Sequence, residues 1–290
     1  MHKLDNVLIL AGTHGNELSG IYINKLIKDK LYNAQRSSFT VTSQIVNSNA
    51  VQSASRFIDT DLNREFSSVD NNQDTHSHER LLSQKFISEH NQGNNQLMID
   101  LHNTTSNMGA TLILLSNDQY YRKMGAYVKQ QMPNANILFE DEKSWSEQAY
   151  LCTTAKYGVM IEVGAQAHGS LQHKTLSLML ELLTVLLDYV EKDNLDKLQD
   201  LQEYHAFYYT EEVHIPVDKE GMRQAMVHPA ICGKDFDVVK QGQALLITLS
   251  GEEICPLNTL ETYPHFINES AYCKKNIAMA LADKRLVTIE

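Results

Sequence analysis

The stretch "LILAGTHGNELSG" (residues 8–20) places His14 and Glu17 three residues apart just beyond an apolar run, with Gly15 between them to let the backbone bend. A neutral imidazole nitrogen and a carboxylate oxygen at that spacing can point at one Zn2+. Spacing alone does not specify a metal, because His76 and Glu79 repeat it inside the polar loop around "SSVDNNQDTHSH" (67–78). What sets the first pair apart is its place between a strand-like run and a helix-like one: ligands of open α/β sheets collect at strand carboxyl ends and helix N-termini. A third ligand comes from "LMIDLHNTTSNMG" (97–109), where an apolar run ends in Asp100, Leu101 and His102. Three protein ligands, an open position for water and a nearby base are the requirements of a hydrolytic zinc site.

The base is expected at Glu162 in "GVMIEVGAQAHG", because a carboxylate among Val159, Met160, Ile161 and Val163 is costly to bury unless it is paired or used. Cations come from "SRFIDTDLNREF" (55–66), which holds Arg56, Asn63 and Arg64. Arginine forks carboxylates and stabilises oxyanions, which suits an anionic substrate; ion pairs with Asp59 and Asp61 are the plainer alternative.

Positioning such groups requires a sheet. Apolar runs at 6–12, 39–46, 96–101, 110–115, 136–139 and 157–164 alternate with helix-like stretches at 17–30, 79–90, 118–132 and 173–191, the pattern of an α/β sheet with helices on both faces. Within the longest apolar run, Ser177, Glu181, Thr184 and Asp188 form a polar stripe at helical spacing, so Leu176 to Val190 reads as a largely buried helix and not as a membrane span. Only Pro133 lies in the first 215 residues whereas four prolines crowd the remainder, and segments such as "AFYYTEEVHI" and "ALLITLSGEEI" look β-like. These shifts divide the chain into an α/β region, 1–204, and a smaller, mainly β region, 205–290. Segment 67–78 is too polar to pack and reads as a long surface loop.

The 290 residues carry a net charge of −11, which disfavours phosphate backbones and so nucleic acid. Cys152, Cys232, Cys255 and Cys273 are widely spaced, with no CxxC pair and no secretory leader ahead of the first strand-like run; reduced thiols in the cytoplasm are expected, with Cys152 a buried or pocket-lining thiol. No GxSxG, GxxxxGK[ST] or GxGxxG pattern supports a serine hydrolase, P-loop or dinucleotide reading.

Taken in order, "GTHGNELSG", "DTDLNREF", "DLHNTTSNMGATLIL", "AKYGVMIEVGAQ" and "FINESAYCKK" resemble the aspartoacylase and succinylglutamate desuccinylase family of zinc hydrolases, the aspartoacylase branch above all, almost from end to end. The resemblance implies a zinc-carboxypeptidase-like mixed sheet flanked by helices, with a smaller C-terminal domain contributing to the substrate pocket. It implies one Zn2+ per chain held by His14, Glu17 and His102, with Glu162 as general base and then proton donor to the leaving amine. Arg56 would hold the oxyanion, Asn63 and Arg64 would bind the substrate's α-carboxylate, and Tyr272 would close over the substrate. The implied reaction is hydrolysis of an N-acyl amino acid, N-acetyl-L-aspartate first among them. The chain departs from the family pattern where an arginine for the aspartate side chain is expected ten residues before the catalytic glutamate: that position is Cys152, and a tyrosine expected four residues earlier is Gln148, with Tyr150 close by. A succinyl-glutamate-like substrate, an N-acetylated neutral or aromatic one, or a non-catalytic module that binds acylated amino acids are the alternatives. The partner is a small molecule, with neither nucleic acid nor membrane; a homo-oligomer is left open.

Overall fold

The computed structural model describes residues 3–67, 76–90, 95–255 and 259–289. Strands β1 (Asn6–Ala11), β2 (Thr40–Ile45), β3 (Gln96–Asn103), β4 (Gly109–Leu114), β5 (Asn136–Phe139), β6 (Tyr157–Gly164) and β7 (Tyr204–His214) appear where the apolar runs and the first β-like segment lie. They are followed by the short β8 (Ala225–Val227), β9 (Val239–Lys240), β10 (Leu246–Thr248), β11 (Glu253–Ile254) and β12 (Glu261–Thr262), and by the long β13 (Ile277–Val287). Helices α1 (Leu18–Lys28), α2 (Ser48–Gln52), α3 (His78–His90), α4 (Gln119–Gln131) and α5 (His173–Asn194) intervene.

Eight strands form one mixed sheet in the order β13-β7-β5-β4-β6-β3-β1-β2, in which β4 runs antiparallel to β6 and β13 antiparallel to β7. The large sheet thus continues past residue 205: β7, expected in the C-terminal β region, pairs parallel to β5 and brings β13 with it. The physical reason is edge satisfaction, since β5 would otherwise leave its outer N–H and C=O groups unpaired. The remaining short strands build the small C-terminal β layer, in sheets β11-β10-β8 and β12-β9.

Because successive strand residues face opposite sides, each strand feeds two cores. Val7, Ile9, Leu97, Ile99, Val159 and Ile161 pack with buried residues of α1, α4 and α5. Leu8, Leu10, Met98 and Met160 face the other side, toward Phe86 of α3 and the C-terminal layer. The polar stripe of α5 lies where helical periodicity puts it: Asp188 pairs with Arg36 at 2.7 Å and Thr184 bonds the Tyr32 hydroxyl at 2.9 Å. No helix among the described residues is long and apolar enough to cross a membrane.

Of segment 67–78, residues 68–75 lie outside the described ones. Glu79 is no part of a solvated loop: it is fully buried on α3, where its two carboxylate oxygens accept from the backbone N–H groups of Ile58, Asp59 and Thr60 and from Asn47 Nδ2. The second HxxE glutamate therefore anchors the loop that carries Arg56 and is not a metal trap.

Candidate active site

Strand parity puts Asp100 and His102 of β3 and Glu162 of β6 on the same face as Met98 and Met160, away from α1, α4 and α5. In the parallel register His102 lies directly beside Glu162. His14 and Glu17 arrive from the turn between β1 and α1, at the carboxyl end of the neighbouring strand. The turn packs hard on α2: a Cβ on Gly15 would lie 2.0 Å from the Ala50 carbonyl carbon, so glycine is needed here for close approach and not for a bend. Glu17 stands at the N-cap of α1 yet makes no cap; the Ser19 amide donates instead to Asn103 Oδ1 at 3.0 Å, which frees the Glu17 carboxylate to face inward.

The three expected ligands converge. Ligand atoms of His14, Glu17 and His102, all buried, lie within 4.8 Å of one another. Each histidine is gripped through Nε2 by a carboxylate: His14 by Asp61 Oδ1 at 2.9 Å, His102 by Asp100 Oδ2 at 2.8 Å. With a proton on Nε2, each ring turns an Nδ1 lone pair toward Glu17, whose Oε1 lies 2.8 Å from His14 Nδ1 and whose Oε2 lies 3.0 Å from His102 Nδ1. His14 Nδ1 is buried without a hydrogen-bond partner. A buried, unsatisfied lone pair beside a carboxylate and a second oriented imidazole fits a divalent cation, zinc in particular. Burial by itself would push the Glu17 carboxyl up, but His14 and His102 hold it well below the ordinary value, in the ionised form a metal requires.

Around these ligands all the other expected site residues line one cavity: Arg56, Asn63, Arg64, Glu162 and Tyr272. Arg56 bonds Glu17 Oε1 at 2.9 Å and Asp61 Oδ2 at 3.1 Å, so the ion pair with Asp61 coexists with a place in the cavity wall. Asp59 instead accepts from the His78 amide. Asn63 is more engaged than its expected contact with substrate requires: its Oδ1 accepts from the Leu151 amide and its Nδ2 lies 3.2 Å from His102 Nε2. Arg64 is exposed, donates to the Asn63 carbonyl at 2.8 Å and lies over the Tyr150 ring. Burial, reinforced by the nearby Glu17 carboxylate, raises the Glu162 carboxyl well above its usual range, and its Oε1 is buried with no partner.

The sequence profile of the succinylglutamate desuccinylase/aspartoacylase catalytic domain matches residues 3–190, and that of the AstE/AspA barrel-sandwich hybrid domain matches residues 202–284. The chain belongs to this family. A protein of Nostoc named "Probable aspartoacylase" is 33% identical over 99% of both chains. A human N-acyl-aromatic-L-amino acid amidohydrolase (carboxylate-forming) is 30% identical over 99% of this chain and 92% of its own. The crystal structure of murine aminoacylase 3 superposes with a TM-score of 0.90 at 27% identity, covering 100% of this chain and 98% of that one.

Neither of the two positions that depart from the family pattern lines the cavity of His14, Glu17 and His102. Cys152 is fully buried in the apolar layer with Leu151 and Met160, and burial raises its thiol far from reactivity. Gln148 is buried too, donating to the carbonyls of Glu140 and Lys143. Tyr150 does line the cavity, and its hydroxyl donates to Glu140 Oε2 at 2.8 Å. Sequence reasoning passed over Glu140, which follows β5 and whose carboxyl burial pushes up to about 7. Glu269 was quoted within "FINESAY" but given no role; it lines the cavity and accepts from the Thr104 hydroxyl and from the Thr105 amide at 2.9 Å, fastening the C-terminal layer to the loop after β3. Asp61 and Asp100 were also missed as holders of the histidines, although each stands in a quoted motif two or three residues from a site residue.

Proposed function

We propose that the chain is a zinc-dependent amidohydrolase that converts an N-acyl-L-amino acid and water to the free amino acid and a carboxylate. The observation that carries this reading is the convergence of two carboxylate-oriented imidazoles and Glu17 in the cavity that also holds Glu162, whose Oε1 is buried without a hydrogen-bond partner. In this reading residues 1–204 supply the chemistry, and residues 205–290 close the substrate pocket through Tyr272.

Bound by His14, Glu17 and His102, zinc would supply Lewis acidity that makes water a nucleophile near neutral pH and polarises the acyl carbonyl. Glu162 takes the proton of the attacking water and delivers it to the departing nitrogen, so the C–N bond breaks as the acyl carbon gains oxygen. Its raised affinity for protons suits a group that must hold one between those two steps. Arg56, fixed by Glu17 and Asp61, presents positive charge to the developing oxyanion. Arg64 and Asn63 receive the α-carboxylate. A binding module needs neither a proton carrier nor an oxyanion holder, which argues for catalysis.

N-acetyl-L-aspartate is the substrate the resemblance puts first, and the name of the Nostoc relative supports it. It requires a cation for a second carboxylate. Among the described residues lining the cavity the arginines are Arg56, already held by two carboxylates, and Arg64. This supports a second reading, an N-acyl amino acid with a neutral or aromatic side chain, as the name of the human relative says of that protein.

Amine release from a panel of N-acetyl amino acids should stop on chelation and return with about one zinc per chain. Glu162→Gln should lower kcat by about 10²–10⁴-fold while zinc stays bound; a Gln variant with wild-type turnover would remove Glu162 from the mechanism.

A further inference from the structure

We propose that Glu140 determines side-chain specificity, and that the subsite it lines takes neutral or hydrogen-bond-donating amino-acid side chains and turns away carboxylates. The inference rests on the deacylase reading above and extends it to the part of the substrate beyond the α-carbon.

The geometry begins with where Glu140 is fixed. It is the first residue after β5, its amide donates to the Leu114 carbonyl of β4 at 2.9 Å, and its own carbonyl accepts from Gln148 Nε2 at 3.1 Å. With its backbone fixed in this way, Glu140 lines the cavity that holds His14, Glu17 and His102 and the adjoining one behind Tyr150. There the Tyr150 hydroxyl donates to Oε2 at 2.8 Å. Phe266 and Tyr272, whose rings lie 5.9 Å apart, share the lining with Ile113 and Met160. The wall is thus aromatic and aliphatic with one carboxyl group set in it.

Charge decides what such a wall accepts. Arg56 is neutralised by Glu17 and Asp61, and Glu269 is spent on Thr104 and Thr105, which leaves Arg64 to meet the substrate's α-carboxylate. Lys143 and Lys275 line a separate, adjoining cavity behind Tyr150 together with Glu142 and Glu212, and neither lysine lines the cavity of the metal site. A second substrate carboxylate would therefore lie against Glu140 with no arginine or lysine beyond Arg56 and Arg64 among the described residues lining this cavity. An amide or hydroxyl there could donate a hydrogen bond to Glu140, and an aromatic ring could pack on Phe266 and Tyr272. Specificity then comes from the repulsive element as much as from the attractive ones.

The test compares N-acetyl-L-asparagine with N-acetyl-L-aspartate, which match in shape and differ in charge, on the zinc-loaded full-length chain at about pH 8.5, above the value of about 7 to which burial pushes the Glu140 carboxyl. N-acetylglycine, N-acetyl-leucine and N-acetyl-phenylalanine complete the panel. The wild type should favour the asparagine compound by at least about tenfold in kcat/KM, and Glu140→Gln should narrow that ratio by about tenfold or more, chiefly by lowering KM for the aspartate compound. A wild type that prefers the aspartate compound overturns the inference, and so does an unchanged ratio in a Glu140→Gln chain that melts normally. The wild-type ratio decides the matter even if the variant does not fold. No turnover of any compound by the zinc-loaded wild type overturns the deacylase reading itself, whereas turnover without charge discrimination overturns only the role of Glu140.

Discussion

His14 and His102 can serve a metal only because Asp61 and Asp100 hold their far nitrogens. An imidazole free to rotate would present either nitrogen, in either tautomer, and the convergence on Glu17 would be lost. Asp100 is itself tied down, since the Thr13 hydroxyl donates to its other oxygen at 2.8 Å. Asp100→Asn keeps the shape but removes the charge, and should weaken zinc binding by about 10–100-fold. Competition with a chelator of known affinity measures this; unchanged affinity would mean that packing alone orients His102. The same economy explains Asn63, whose Oδ1 accepts from the Leu151 amide and whose Nδ2 donates to Asp100 Oδ2 at 3.4 Å, coupling the segment before β6 to the carboxylate that holds His102.

At the scale of elements, the β1–α1 turn, the loop 55–66 and α3 act together. Arg56 sits on a loop without regular structure between α2 and the short 3-10 turn Leu62–Arg64, yet its charge must stay within reach of Glu17. Glu79 supplies the rigidity, taking up three consecutive backbone N–H groups of that loop from the start of α3. Those donors lie in a part-buried setting, and leaving them without acceptors costs about 1–3 kcal/mol. Glu79→Ala should therefore lower stability by roughly 2 kcal/mol and raise KM as Arg56 and Asn63 lose their frame, while zinc content stays at one per chain. A variant that melts like the wild type would show that the loop is held by other contacts. Only Glu79 and the spacing of Ile58 to Thr60 in three dimensions reveal this; along the chain the glutamate is 19 to 21 residues away.

Polar links fasten the C-terminal layer within itself and to the large sheet and its loops. Glu269 binds the loop after β3, Asp235 accepts from the amides of Asn107 and Ile267, and His265 pairs its backbone with Ala280 of β13. The His265 ring is fully buried and stacks on Phe236 at 5.5 Å with no partner on Nε2. Burial lowers its pKa from the ordinary 6.5 to about 4. As pH falls below 6.5 the unfolded chain takes up a proton that the folded chain refuses until about 4, so this group's contribution to stability is whole above 6.5 and declines through that window. The loss should approach roughly 3 kcal/mol at its lower end. Denaturant titrations at pH 7 and pH 4.5 should show His265→Phe losing less stability on acidification than the wild type; parallel losses in the two chains would place the acid sensitivity elsewhere.

How much of this could be read before folding follows from the range of each interaction. That His14, Glu17, His102 and Glu162 lie at strand ends, and which strands carry them, was legible because strand ends, apolar runs and motif spacing are local properties of the chain; their meeting in one cavity is what the fold adds. So were the polar stripe of α5 and the burial of Cys152 as one of two expected outcomes. Contacts between distant segments were not legible: that Asp61 orients His14, that Asn103 caps α1 in place of Glu17, and that Glu79 holds the Arg56 loop. Nor did local pattern show that β7 and β13 extend the large sheet beyond residue 205, since an apolar strand does not name its neighbour and only the unsatisfied edge of β5 does. Glu140 is the clearest case. In the sequence it is one acidic residue beside Asp141 and Glu142, and only the fold sets its carboxyl in the wall of the cavity that holds His14, Glu17 and His102.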